Sequence, residues 1–108
     1  MKTVVVLNHD HLGHGDAELG RRVLRTFLQK ARALGDLEAL AFFNSGVKLV
    51  AADSPVRAEL MLLAELGVDL LPCGTCLEHF GITPAVGRVH SMDDILAELG
   101  RAEKVLTL

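Results

Sequence analysis

Tryptophan and tyrosine are absent from the sequence, and four phenylalanines are its only benzenoid side chains. So few flat apolar faces leave no platform on which nucleic-acid bases could stack. An excess of basic charge is also missing. Eleven Lys and Arg stand against fourteen Asp and Glu, a formal net charge of −3, so nothing draws the chain to a phosphate backbone and no nucleic-acid partner is expected. Long apolar runs are lacking as well, and no segment approaches the roughly 20 apolar residues of a membrane span. The N-terminal run Val4–Leu7 stops at polar Asn8-His9-Asp10. It is too short for a secretion signal and lacks a small-residue cleavage site. The expectation is a cytoplasmic protein with no membrane partner. Cysteine is nearly absent too, with two residues. In a reducing compartment such a pair is expected to be catalytic or metal-binding rather than a structural disulfide. No internal repeat, linker or low-complexity tract is present.

What the sequence does contain is apolar substance. Half of the 108 residues are hydrophobic and the mean hydropathy is +0.35. One domain of this size still exposes much of its surface, so part of the apolar excess is expected to be covered by another copy of the chain.

Short apolar runs alternate with helical periodicity. Val4–Leu7 is β-branched and apolar on both faces, the pattern of a strand buried in a parallel sheet. Leu37–Phe43 and Val68–Pro72 repeat it, and Val86–His90 and Lys104–Leu108 are read as a fourth and a fifth strand. Between the strands, Asp16 is a helix N-cap with Glu18 in the first turn. Leu19, Val23, Phe27 and Ala31 then recur every four residues beside Leu24 and Leu28. Ser54-Pro55 is a cap followed by proline at the first helical position, with Leu60, Leu63, Ala64 and Leu66 as the buried side and Gly67 as the stop. Ser91 with Asp94 is a variant capping box, opening a helix through Ile95, Leu96 and Leu99 to Gly100. Strands and helices joined by short connections imply a three-layer α/β/α sandwich with a mostly parallel sheet of about five strands. Ligand chemistry in such sheets lies at the carboxyl ends of the strands. This nominates the loops at Asn8–Gly15, Asn44–Val47, Cys73–Cys76 and His90–Ser91.

Cys73-Gly74-Thr75-Cys76 is the sharpest signal, placed where a buried strand runs into a short helix that ends at Gly81. Unpaired N–H groups at a helix start favour thiolate, the form that attacks sulfane sulfur or a disulfide. Gly74 lets the backbone turn tightly there, and a second cysteine three residues on can resolve or share the adduct. Two inert buried cysteines are the bland reading. A thioredoxin-like assignment lacks that fold's hairpin-rich second half. His9, His11 and His14 share one loop at the same sheet edge. With the two thiols they could bind zinc or copper, although two thiols make half a closed site, and no resident metal or cofactor is expected. Gly13-His14-Gly15-Asp16 suits anion docking, or more simply a tight turn into a capped helix. Asn44-Ser45-Gly46 could donate hydrogen bonds to a substrate or persulfide, or serve as ordinary turn residues.

Taken together, Phe42–Leu49, Cys73–Leu77, Val86-Gly87 and Ser91-Met92, with Gly13, Gly15, Asp16, Glu18, Leu19 and Gly20, resemble the DsrE-like sulfur-relay superfamily along the whole chain. The resemblance is nearest to the C-terminal domain of YedF-type proteins, which are linked to selenium metabolism. It implies a single DsrE-like, flavodoxin-like domain, homo-oligomers such as trimers or hexamers, and a cysteine that accepts sulfur as a persulfide. The relay cysteine lies eight residues before a glycine, as Cys73 does before Gly81, so the nucleophile role falls to Cys73 and an auxiliary role to Cys76. Asn8, Gly13, Gly15, Asn44, Ser45, Gly46, Gly74 and Thr75 are the candidate substrate-binding positions. YedF-type proteins usually carry an N-terminal domain resembling the sulfur carrier TusA. This chain has none, so a TusA-like donor or acceptor would be a separate protein. A metal-binding or regulatory oligomeric module built on Cys73, Cys76 and the loop histidines is the rival reading.

Overall fold

A computed structural model describes residues 2–108. Four strands, β1 (Thr3–Leu7), β2 (Leu37–Phe42), β3 (Asp69–Pro72) and β4 (Lys104–Thr107), form one sheet in the order β3-β2-β1-β4, and every pair is parallel. β1 is buried along its whole length, because it is central and covered on both faces, as its unbroken apolar run requires. The order implies right-handed crossovers that first run from β1 out to β3 and then return past β1 to β4. Helices α1 (Ala17–Lys30) and α2 (Arg57–Glu65) therefore share one face, and α4 (Met92–Arg101) lies on the other. The pairing of α1 with α2 shows in Arg25, which donates to the Pro55 carbonyl at 2.6 Å and pairs with Glu59 at 3.5 Å.

Among the described residues the sandwich has four strands rather than the expected five. Val86–His90 runs beside the open edge of β3 but joins it through a single bridge, His90 with Cys73. Gly87 turns the segment with a φ of 70°, a left-handed conformation that breaks an extended run. A side chain at Gly87 would press on the Leu70 carbonyl oxygen and Cβ, so the glycine also permits the segment's close approach to β3.

The helices bury narrower stripes than their composition suggests. Gly20, Leu24 and Leu28 form the inward row of α1, while Leu19 and Val23 stand on its exposed shoulder. On α2, Leu60 and Leu63 are buried but Ala64 and Leu66 are exposed, and on α4 Ile95 is buried while Leu96 is 55% exposed. The caps at Asp16 and Ser91 accept from the N–H groups of Leu19 and Asp94. Ser54 accepts from Val56 N–H, and its proline occupies a lead-in turn, so α2 begins two residues later than expected.

After β2 the chain enters a 3-10 segment, Asn44–Val50, that packs against the end of β1. A methyl at Gly46 would overlap the Leu7 carbonyl oxygen. Gly46→Ala is accordingly expected to lower stability by about 1–3 kcal/mol, the cost of forcing volume into a packed core. Gly100→Ala, in open space near the end of α4, is expected to raise it by up to about 1 kcal/mol. Urea denaturation of the two variants measures both signs.

Candidate functional site

Three adjacent strand ends converge: Asn8 after β1, Asn44 after β2 and Cys73 after β3. The backbone at Cys73 is fixed from both sides. Its N–H donates to the Phe42 carbonyl at 3.0 Å, and the N–H of Gly74 donates to the His90 carbonyl at 2.9 Å. A short helix, α3 (Gly74–Phe80), follows and ends at left-handed Gly81. Gly74 itself is the first residue of α3 and has no positive φ. Its small size instead lets Val89 and His90 pack close, since a Cβ there would lie 3.0 Å from a Val89 methyl.

Cys73 is 3% exposed and belongs to the core cluster, whereas Cys76 is half-buried at the surface of that cluster. Both thiols are free. The Asn44 N–H donates to Cys76 Sγ at 3.1 Å. That donor is aimed by a φ of 51° at Asn44, the one non-glycine residue with a positive φ among the described residues; asparagine tolerates this conformation better than most residues. Burial pushes the Cys76 thiol above its ordinary range. The Asn44 N–H opposes this, and the hydrogen bond and charge of neighbouring Cys73 raise it further. The balance of these influences favours the protonated form of Cys76.

The other nominated residues fall into two groups. Ser45 Oγ accepts the Asp10 N–H at 3.2 Å, tying the histidine loop to the Asn44 segment. The Asp10 carboxylate in turn holds His11 Nδ1 at 2.7 Å. His9 stacks loosely between His11 and His14, with ring centroids 5.6 and 5.9 Å away. Among the described residues, no three His, Cys, Asp or Glu side chains converge on a point that could hold a metal ion. Gly13 and Gly15 are exposed left-handed turn residues. The start of α1 is occupied by the Asp16 carboxylate, which stands where an anion would dock. The N–H of Asn8 is used by the Leu108 carbonyl, and Thr75 is exposed on α3.

Sequence reasoning nominated Asn44 and the His90 loop but missed the backbone groups through which they act. Asn44 acts through its backbone rather than its amide side chain, and asparagine's tolerance of positive φ was the available signal. His90 acts through its carbonyl, which no side-chain motif announces. A groove of about 590 Å³ runs between α2, the edge of β3 and α4, lined by Leu70, His90, Asp94 and Arg101 among others, but by neither cysteine.

The architecture matches solved structures over the full chain. The YchN protein of E. coli aligns with a TM-score of 0.73 at 18% identity, covering 100% of both chains. MTH1491 of Methanobacterium thermoautotrophicum, a protein of unknown function, gives 0.72 at 16% identity over 99% of this chain and 98% of its own. The fold is DsrE/YchN-like. BT1422 of Bacteroides thetaiotaomicron, a conserved protein of unknown function, gives 0.69 at 23% identity, covering 99% and 94%. No protein-family model and no curated protein sequence matches the chain. The DsrE/YchN-like fold is therefore carried by structure, and the narrower YedF likeness by the sequence motifs alone.

Removing Cys73 removes two of the influences that hold Cys76 protonated. In Cys73→Ala, Cys76 is expected to titrate at lower pH than in the wild-type chain. Site-mapped iodoacetamide labelling against pH reads this directly, and an unmoved or upward-shifted profile contradicts it.

Proposed function

We propose that this protein is a sulfur carrier, with Cys73 as the residue that holds the cargo. The observation that carries the reading is the thiol pair at the end of β3, with Cys76 close to Cys73 and receiving the Asn44 N–H. In the first step the Cys73 thiolate attacks the outer sulfur of a donor persulfide. The donor's S–S bond breaks, and the donor leaves as a thiolate. In the second, an acceptor thiolate attacks the outer sulfur now on Cys73, and the electron pair of that S–S bond returns to Cys73. Burial of Cys73 shields the persulfide from water and stray thiols, so exchange requires the site to open.

The likeness to YedF-type proteins supports sulfur or selenium as cargo and a TusA-like carrier as the partner, with the cytoplasm as the site of action. The exposed Leu19, Val23, Met92, Leu96 and Val105 support self-association, because apolar surface of this kind is commonly covered in homo-oligomers.

Two outcomes are expected. After incubation with a persulfide donor, intact mass spectrometry should show one added sulfur on Cys76→Ala and none on Cys73→Ser; sulfur carried by Cys76 in Cys73→Ser reverses the assignment. Light scattering at micromolar concentration should show a species larger than the 11.6 kDa chain; a purely monomeric sample removes the oligomer from the proposal.

A further inference from the structure

The thiol placed to meet a persulfide on Cys73 belongs to the same chain. Cys73 is almost completely enclosed, its backbone is held at both sides by Phe42 and His90, and Cys76, one helical turn on, lies close to it with its Sγ fixed by the Asn44 N–H. The pair has the CxxC spacing at a helix start in which thiol oxidoreductases close and open their disulfide. Any external acceptor has to open the enclosed site before reaching the outer sulfur, whereas Cys76 already lies close to Cys73. Effective concentration favours the intramolecular reaction by orders of magnitude when the groups are held near one another.

Building on the carrier reading, we infer that the protein has a second activity, release of the bound sulfur as hydrosulfide through a Cys73–Cys76 disulfide. The Cys76 sulfur attacks the inner sulfur of the Cys73 persulfide. A new S–S bond forms between the two cysteines, and the bond from Cys73 to the outer sulfur breaks. The outer sulfur leaves with that electron pair and takes up the Cys76 proton, so a persulfide anion and a thiol become a disulfide and HS⁻. The two cysteine sulfurs are oxidised, and the sulfane sulfur is reduced to sulfide. A dithiol reductant then reopens the disulfide and resets the site. The Asn44 N–H, already directed at Cys76 Sγ at 3.1 Å, holds the attacking sulfur in place. As the new S–S bond forms, the Cys76 proton passes to the departing sulfur, so that the attacking sulfur carries the electron pair of a thiolate.

The experiment uses the full chain, reduced and freed of excess thiol, with one equivalent of cysteine persulfide under anaerobic conditions. Released sulfide and intact mass are followed together. The wild-type chain is expected to release about one sulfide per chain and to finish two hydrogens lighter than the reduced protein, while Cys76→Ala keeps the added sulfur and releases none. The wild-type result stands without the variant, should the variant fold poorly. A wild-type chain that stays one sulfur heavier and releases no sulfide overturns the inference and leaves the carrier reading intact, as does release from Cys76→Ala at the wild-type rate. A chain that neither gains sulfur nor releases sulfide overturns both.

Discussion

The peptide groups on either side of the Cys73 Cα point in opposite directions along the sheet plane, and each finds a carbonyl. Cys73 N–H closes on Phe42 at the end of β2, and Gly74 N–H closes on His90 in the segment that flanks β3. Backbone donors left unpaired in a buried setting are costly, so these two bonds fix where β3 ends and where α3 starts. The rest of the site depends on that placement. With Cys73 pinned as the last residue before α3, one helical turn brings Cys76 back over it, and the Asn44 segment lies within reach of the second sulfur.

The same logic explains why glycine recurs around the site for different reasons. Gly46 and Gly87 remove a Cβ where backbone meets backbone, against Leu7 and Leu70. Gly20 does so within α1: a Cβ there would lie 2.7 Å from the Leu12 carbonyl oxygen, while Leu12 N–H donates to the Gly20 carbonyl. The histidine loop is thereby folded back onto α1, and Ser45 ties it to the Asn44 segment through Asp10.

Much of the fold was legible in the sequence because the strongest signals were local. The apolar runs at β1, β2 and β3 and the caps at Asp16 and Ser91 lie where pattern and propensity agree. The flanking segment Val86–His90 was read as a strand because its apolar content was visible, while the turn at Gly87 that limits it to one bridge depends on packing against Leu70. The buried rows of α1 and α2 were set by which shoulder faced the sheet, a tertiary choice that periodicity leaves open between neighbouring stripes. At the site, the CxxC pair and the Asn44 loop were legible as residue types at strand ends. The difference in burial between the two thiols was not, because it arises from Leu77, Phe42 and the other core residues brought together only by folding.

The two edges of the sheet are unlike. Beyond β3 the segment through Gly87 and His90 fills the position a neighbouring strand would take, whereas β4 is mostly exposed, with Lys104 and Val105 at the surface. A strand contributed by another molecule would add on the β4 side. That side is separated from Cys73 by β1 and β2, so the sheet has one direction of growth and its cysteine pair sits at the closed end.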